Sequence, residues 1–280
     1  MEVIKNKILD GKHNKPIVLD VFFQKTKQPK PVLIFCHGYK GFKDWGAWNR
    51  MAQEFAQMGI VFVKFNFSHN GTTPEQPEDF ADLEAFGQNN YVKELDDLET
   101  VIDWVSTSPL FHDEAATQQL ALLGHSRGGG IVLLKAAEDP RIAKVITLAS
   151  VCDFKKRTAT VGELDLWKKS GVKYVLNGRT QQQMPHYYQF YENFLEHEER
   201  LTIEHAVKRL EIPLLILHGD ADTSISVKEA HTIHKWMPQS SLTIIEHANH
   251  VFNTSHPWSK EDISEELATV IQESILFLRS

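Results

Sequence analysis

Leu120-Ala121-Leu122-Leu123-Gly124-His125-Ser126-Arg127-Gly128-Gly129-Gly130-Ile131-Val132-Leu133 joins two apolar stretches through a glycine-rich turn. Leu120 to Leu123, with no polar interruption, fits a strand buried on both faces. Ile131 to Ala137 starts directly from the turn and reads as a helix. The pentapeptide between them is a G-x-S-x-G, whose glycines let the chain turn where bulkier residues would collide with adjoining backbone. Such a turn holds a serine Oγ above the sheet and sets the next N–H, that of Arg127, at a helix N-terminus aimed at the same space. Ser126 is therefore the candidate nucleophile; the plainer reading is a glycine-rich turn with a bystander serine.

Outward from this turn the same rhythm repeats. Val32-Leu33-Ile34-Phe35-Cys36, Ile60 to Phe67, Val145 to Leu148, Leu214 to Leu217 and Leu242 to Ile245 are apolar runs of strand length. Trp45 to Met58 places Trp48, Met51, Ala52, Phe55 and Met58 three or four apart and stops at Gly59, as a helix does. Tyr91 to Val105, Val227 to Trp236 and Ile263 to Leu278 read the same way. Strands alternating with helices imply a mostly parallel sheet with right-handed crossovers. Val3 to Leu9 and Ile17 to Phe23, split by Asp10-Gly11-Lys12-His13-Asn14, add an antiparallel hairpin at the start, for eight strands in all.

One interval breaks the rhythm. Between Phe154 and Pro213 lie nearly sixty residues, too many for an ordinary connection. Val172 to Leu176, then Asn177-Gly178, then a polar strand candidate look like a hairpin with a type I′ turn. A helix over Ile203 to Leu210 leads back to the next strand. Residues 1–154 and 212–280 are expected to form one α/β core and residues 155–211 a small inserted lid after the sixth strand.

The bulk numbers restrict the partners. A net charge of −7 over 280 residues disfavours nucleic acid or an anionic membrane. No apolar run approaches the ~20 residues that cross a bilayer, and the first residues lack a signal segment. A cytoplasmic protein is the default expectation, monomer or homodimer left open. Cys36 and Cys152, each in an apolar stretch, read as small buried hydrophobes. His231 and His234 could share a helix face, but no third ligand has metal-like spacing, so neither metal nor cofactor is expected.

A serine hydroxyl needs a base to remove its proton, and the base needs a carboxylate to orient it. His218-Gly219-Asp220-Ala221-Asp222 leaves one late strand and Glu246-His247-Ala248-Asn249-His250 the last one. Functional groups of open α/β sheets gather at such C-terminal strand ends.

With His37-Gly38, Gly124-His125-Ser126-Arg127-Gly128, His218-Gly219-Asp220-Ala221-Asp222 and Asn249-His250 in this order, nearly the whole chain resembles the α/β-hydrolase family. It looks closest to dienelactone-hydrolase-like and acyl-peptidase-like branches and to bacterial cinnamoyl (feruloyl) esterases with a small lid. Strict dienelactone hydrolases usually carry cysteine where this chain has Ser126. The resemblance implies Asp222 rather than Asp220 as the acid, and His250 rather than His247 or His256 as the base. It also implies backbone N–H groups of Tyr39 and Arg127 as the oxyanion hole, with His37 and the Ser68-His69-Asn70-Gly71-Thr72 loop as support. Trp167, Tyr174, Tyr187, Tyr188 and Tyr191 are candidates to pack on a substrate; the plainer reading makes them the insertion's own small core. The expected activity is a serine carboxylesterase on aromatic or short-chain acyl esters. A peptidase on short or blocked peptides is the alternative, and a non-catalytic binding protein the third class.

Overall fold

Residues 1–111, 113–159 and 164–280 are described by the structure, a computed structural model. Its strands are β1 (Glu2–Asp10), β2 (Pro16–Phe23), β3 (Lys30–Cys36), β4 (Val61–Asn66), β5 (Ala115–His125), β6 (Ile142–Leu148), β7 (Val172–Leu176), β8 (Gln183–Tyr187), β9 (Leu214–Gly219) and β10 (Ser241–Ile245). Eight form one sheet in the order β1-β2-β4-β3-β5-β6-β9-β10. Only β2 opposes the rest, being antiparallel to both β1 and β4; the pairings from β4 to β10 are parallel. β7 and β8 pair apart from this sheet, as a hairpin inserted after β6.

Alternation along the buried strands divides the core in two. Val32, Ile34 and Cys36 of β3 and Leu120 and Leu122 of β5 pack with the helices Tyr91–Thr107 and Arg127–Glu138. Leu33 and Phe35, with Ala121 and Leu123, face the helices Trp48–Gln57 and Glu265–Arg279. This is the period-two geometry of a strand covered on both faces. Local signals set the helix ends. Asn90 accepts from the Lys93 N–H at 3.0 Å, and Ser264 from the Leu267 N–H at 3.2 Å. Gly59, at φ 80°, ends the helix Trp48–Gln57, where only glycine is unstrained.

Two expectations need correction. The helix expected from Ile131 begins at Arg127, so Gly128, Gly129 and Gly130 lie inside it. Close approach explains them: a Cβ on Gly128 would lie 2.3 Å from the Cys36 carbonyl oxygen, and one on Gly129 2.3 Å from the Ser150 Oγ. The β7–β8 hairpin exists, but Leu176 pairs with Gln183, leaving a loop over residues 177–182 instead of a two-residue type I′ turn. That turn needs positive φ at both central residues; here Gln181, at φ 60°, is the left-handed residue of the loop. The Asn177 side chain instead accepts from the Arg179 N–H at 3.1 Å.

Gly128→Ala is therefore expected to cost about 2 kcal/mol through overpacking against β3 backbone. Gly178→Ala, with open space around its Cβ position, should change stability by less than about 0.5 kcal/mol. Urea denaturation of both variants checks the contrast; equal effects would contradict the close approach.

Candidate active site

Ser126 stands between β5 and the helix Arg127–Glu138 at φ 57° and ψ −118°. A side chain in this region is strained, and surrounding structure must hold it there. The Ser126 N–H donates to the Leu148 carbonyl at 2.9 Å, while its carbonyl accepts from Gly129 at 3.0 Å and Val151 at 3.3 Å. A Cβ on Gly124 would meet the Gly128 carbonyl oxygen at 2.3 Å, and one on Gly38 would meet the Ser126 Cβ at 2.9 Å. The glycines are thus required by backbone packing around the serine, as the pattern suggested.

Asp222 follows β9, and its carboxylate is fully buried. Oδ2 lies 2.7 Å from the His250 Nδ1 and 3.3 Å from the His218 Nε2. Oδ1 accepts from the backbone N–H groups of Ser224 at 2.7 Å and Ile225 at 2.9 Å. Burial works to raise this carboxyl, but the hydrogen bonds from His218 and His250 hold it well below the usual carboxylate range. Asp220 instead accepts from the His247 backbone N–H at 2.6 Å, on the exposed side of the loop. His256 stacks on Trp45 and accepts from the Gly46 N–H.

Ser126 and His250 line the same two cavities. One, of ≈ 390 Å³, is bounded by Tyr39, Tyr91, Phe154, His186 and Phe190. The other, of ≈ 440 Å³, runs past His37, Trp45, Trp48 and His125. The Arg127 N–H is the first of its helix and so has no helical acceptor. Tyr39 lies on the loop after β3, against both cavities. His37 is buried, with Nδ1 2.9 Å from the Gly38 carbonyl and Nε2 3.4 Å from the Asn70 Nδ2. These contacts tie the loop after β3 to the loop after β4.

The five insertion aromatics fall outside both linings. Trp167 is buried, its indole N–H donating to the His186 carbonyl at 2.8 Å, and packs on Tyr188 and Tyr191. Tyr187 bonds to Glu84, and Tyr174 points to solvent at 59% exposure. Trp167, Tyr188 and Tyr191 thus pack on one another within the insertion, while Tyr187 reaches out of it to Glu84 and Tyr174 is exposed.

Glu94, the side chain of His125 and the guanidinium of Arg127, of which the backbone alone was singled out, were missed. The Arg127 guanidinium is centred 4.4 Å from the Tyr39 ring and 5.3 Å from that of Tyr91, and its Nη1 lies 3.2 Å from the Glu94 Oε1. The buried Glu94 also accepts from the Asn89 side chain at 2.7 Å. An acid three residues after Tyr91, on the helical face that also carries Leu95, Leu98 and Val101, was its signal. His125 rests on Trp48, and its Nε2 lies 2.8 Å from the His250 carbonyl, holding the loop after β10 against β5. Among the described residues no group of histidine, cysteine and acidic side chains could hold a metal ion, and no helix is long and apolar enough to cross a membrane.

A family model described as serine aminopeptidase, S33, matches residues 27–193, more than half of the chain. The chain belongs to this family, within the α/β-hydrolase superfamily. The match includes the Ser126 turn and ends before Asp222 and His250. Est1E from Butyrivibrio proteoclasticus, solved with ferulic acid bound, superposes with a TM-score of 0.73 at 18% identity, over 98% of this chain and 99% of that one. The esterase domain of a Rhodothermus marinus protein superposes at 0.66 with 18% identity, over 100% and 98%. The quorum-quenching protein AidA of Acinetobacter baumannii is 23% identical over 147 residues, 52% of this chain and 44% of that protein. The chain spans about half the length of the curated relatives it matches.

Burial holds His37 and His69 down to about 4 and His125 and His186 down to about 3. All four stay neutral in the fold and gain protons more readily once unfolded. Their stabilising contribution is complete above the ordinary value of 6.5 and is lost as pH falls toward 4. Asp97, raised by burial to about 7, and Glu94, raised in the same direction, oppose this over the same window but are outnumbered. The urea midpoint should therefore fall between pH 6.5 and about pH 4.5. A flat or rising midpoint would contradict the neutral buried imidazoles.

Proposed function

We propose that this α/β-hydrolase cleaves carboxylic esters through an acyl-enzyme, with Ser126 as nucleophile, His250 as general base and Asp222 as the carboxylate that orients it. The observation that carries the reading is the 2.7 Å contact between the buried Asp222 carboxylate and His250 Nδ1, on a loop that lines the same cavities as Ser126. With Nδ1–H given to Asp222, His250 Nε2 is left with a lone pair to take the serine proton. Attack on the ester carbonyl forms the tetrahedral oxyanion, for which the Arg127 and Tyr39 N–H groups are the assigned donors; one such donor is typically worth ~3 kcal/mol of barrier. The imidazolium then protonates the leaving alcohol, and water repeats the sequence on the acyl-enzyme.

Residues 155–211 are read as the cap of this site, since Lys173, Val175, His186 and Phe190 contribute to the cavity wall. The aromatic rings of Tyr39, Tyr91, Phe154 and Phe190 favour esters with an aromatic or short apolar body. The alternative, a peptidase, would need an acid to hold a free α-ammonium group, and neither described lining contains an aspartate or glutamate. That favours the esterase reading and leaves blocked peptides as the peptidase substrate to test.

A fluorophosphonate probe should label Ser126, located by peptide mass spectrometry, and Ser126→Ala should abolish labelling. Turnover of p-nitrophenyl butyrate should fall roughly 10³- to 10⁶-fold in Ser126→Ala and His250→Ala, and about 10⁴-fold in Asp222→Asn. Labelling elsewhere, or a fully active His250→Ala enzyme, would overturn the assignment. Comparing p-nitrophenyl acetate, butyrate and octanoate with methyl ferulate and acylaminoacyl amides should place esters above amides. A higher kcat/KM on the amides would favour the peptidase.

A further inference from the structure

Among the described residues, the wall of the ≈ 390 Å³ cavity carries four cationic side chains, Lys40, Arg127, Arg157 and Lys173, and no acidic one. This is a local reversal of sign, because the chain as a whole is acidic at −7. Two of the four are balanced from behind: Arg127 by Glu94 and Arg157 by Glu229. The Arg157 Nε–H is nevertheless buried and unpartnered among the described residues.

The two lysines have no carboxylate partner among the described residues. Lys40 Nζ lies 3.4 Å from the Leu176 carbonyl and 5.2 Å from the centre of the Tyr39 ring. Lys173 Nζ lies 3.3 Å from the centre of the Trp167 ring. Alternation along β7 puts Lys173 and Val175 in the cavity wall, while Tyr174 and Leu176 are exposed, so strand geometry sets the Lys173 side chain on the cavity side of the hairpin. Burial pulls the Lys173 ammonium down to about 8 and Lys40 in the same direction, a solvation deficit that a bound anion offsets.

We infer that this cavity selects an ester carrying a carboxylate on the arm that enters it, held by Lys40 and Lys173 with its apolar body against Tyr91, Phe154 and Phe190. The inference rests on the esterase reading above and narrows its substrate class. A cavity walled by low-dielectric rings focuses the field of these cations, so an anionic arm is drawn in and a neutral arm of equal length is not. Charge-assisted contacts of this kind are the strong class of hydrogen bond.

The test compares matched esters that differ in one charge. Mono-4-nitrophenyl adipate against 4-nitrophenyl hexanoate places the carboxylate on the acyl arm; 4-carboxyphenyl hexanoate against phenyl hexanoate places it on the alcohol arm. At low ionic strength, the kcat/KM ratio of charged to neutral ester should be roughly tenfold in favour of the charged one for one of the pairs. It should shrink severalfold at high salt, and collapse toward or below unity in Lys40→Met/Lys173→Met. Ratios near unity for both pairs, or a preference that survives the double substitution, overturn the inference while leaving the esterase reading intact. If no ester is turned over, calorimetry of Ser126→Ala with monomethyl adipate and methyl hexanoate separates the two. Lysine-dependent preference for the adipate supports the anion site without the chemistry, and its absence overturns the site as well.

Discussion

The backbone of Ser126, held at φ 57° and ψ −118°, is the constraint on which the rest of the site depends. Such a conformation is costly for a residue with a Cβ, and it persists because several elements converge on it. β6 accepts its N–H, the helix Arg127–Glu138 starts on its carbonyl, and the loop after β3 passes so close that glycine is required at 38 and 128. That crowding also brings the loop holding Tyr39 beside the first N–H of the helix. The strained turn and the close approach of that loop are therefore one packing solution.

A second constraint secures the other side of that loop. Lys43 and Asp44, which follow it, are buried with Asp20 of β2 and Lys64 of β4 in a compact cluster of alternating charge. Lys43 Nζ lies 2.9 Å and Lys64 Nζ 2.7 Å from Asp20 Oδ2, and both ammonium groups also meet Asp44. Burial works to raise both carboxyls, but the paired ammonium groups hold them below their ordinary range. Burying four charges is expensive unless every one is matched, so the cluster tolerates little displacement of the loop. The same economy of matched charge holds Arg127, clamped by Glu94 behind and Tyr39 in front. Where the matching stops, at Lys40 and Lys173, the cavity is left with a field that favours a negative guest.

The chain itself determined the strand–helix alternation, the eight-stranded core, the position of the insertion and the serine turn, because these follow from local periodicity and glycine spacing. Leu120 to Leu123 can only be a doubly buried strand if helices cover both faces, and the sequence supplies amphipathic stretches in the right places to do so. Tertiary structure decided what local pattern cannot express. Gly128 to Gly130 resemble a loop in sequence but lie within a helix, their glycines set by the approach of β3 to Gly128, Ser150 to Gly129 and Phe154 to Gly130, all from outside the segment. Asn177-Gly178 resembles a two-residue turn but belongs to a longer loop tied by the Asn177 side chain. Trp167 and its tyrosine neighbours pack on one another, and the cavity wall is taken by Tyr91, Phe154 and Phe190, residues whose spacing marks them as ordinary core. Side-chain pairing across long sequence separations, as between Glu94 and Arg127 or His125 and the His250 carbonyl, has no periodic signature; only the packed fold sets it.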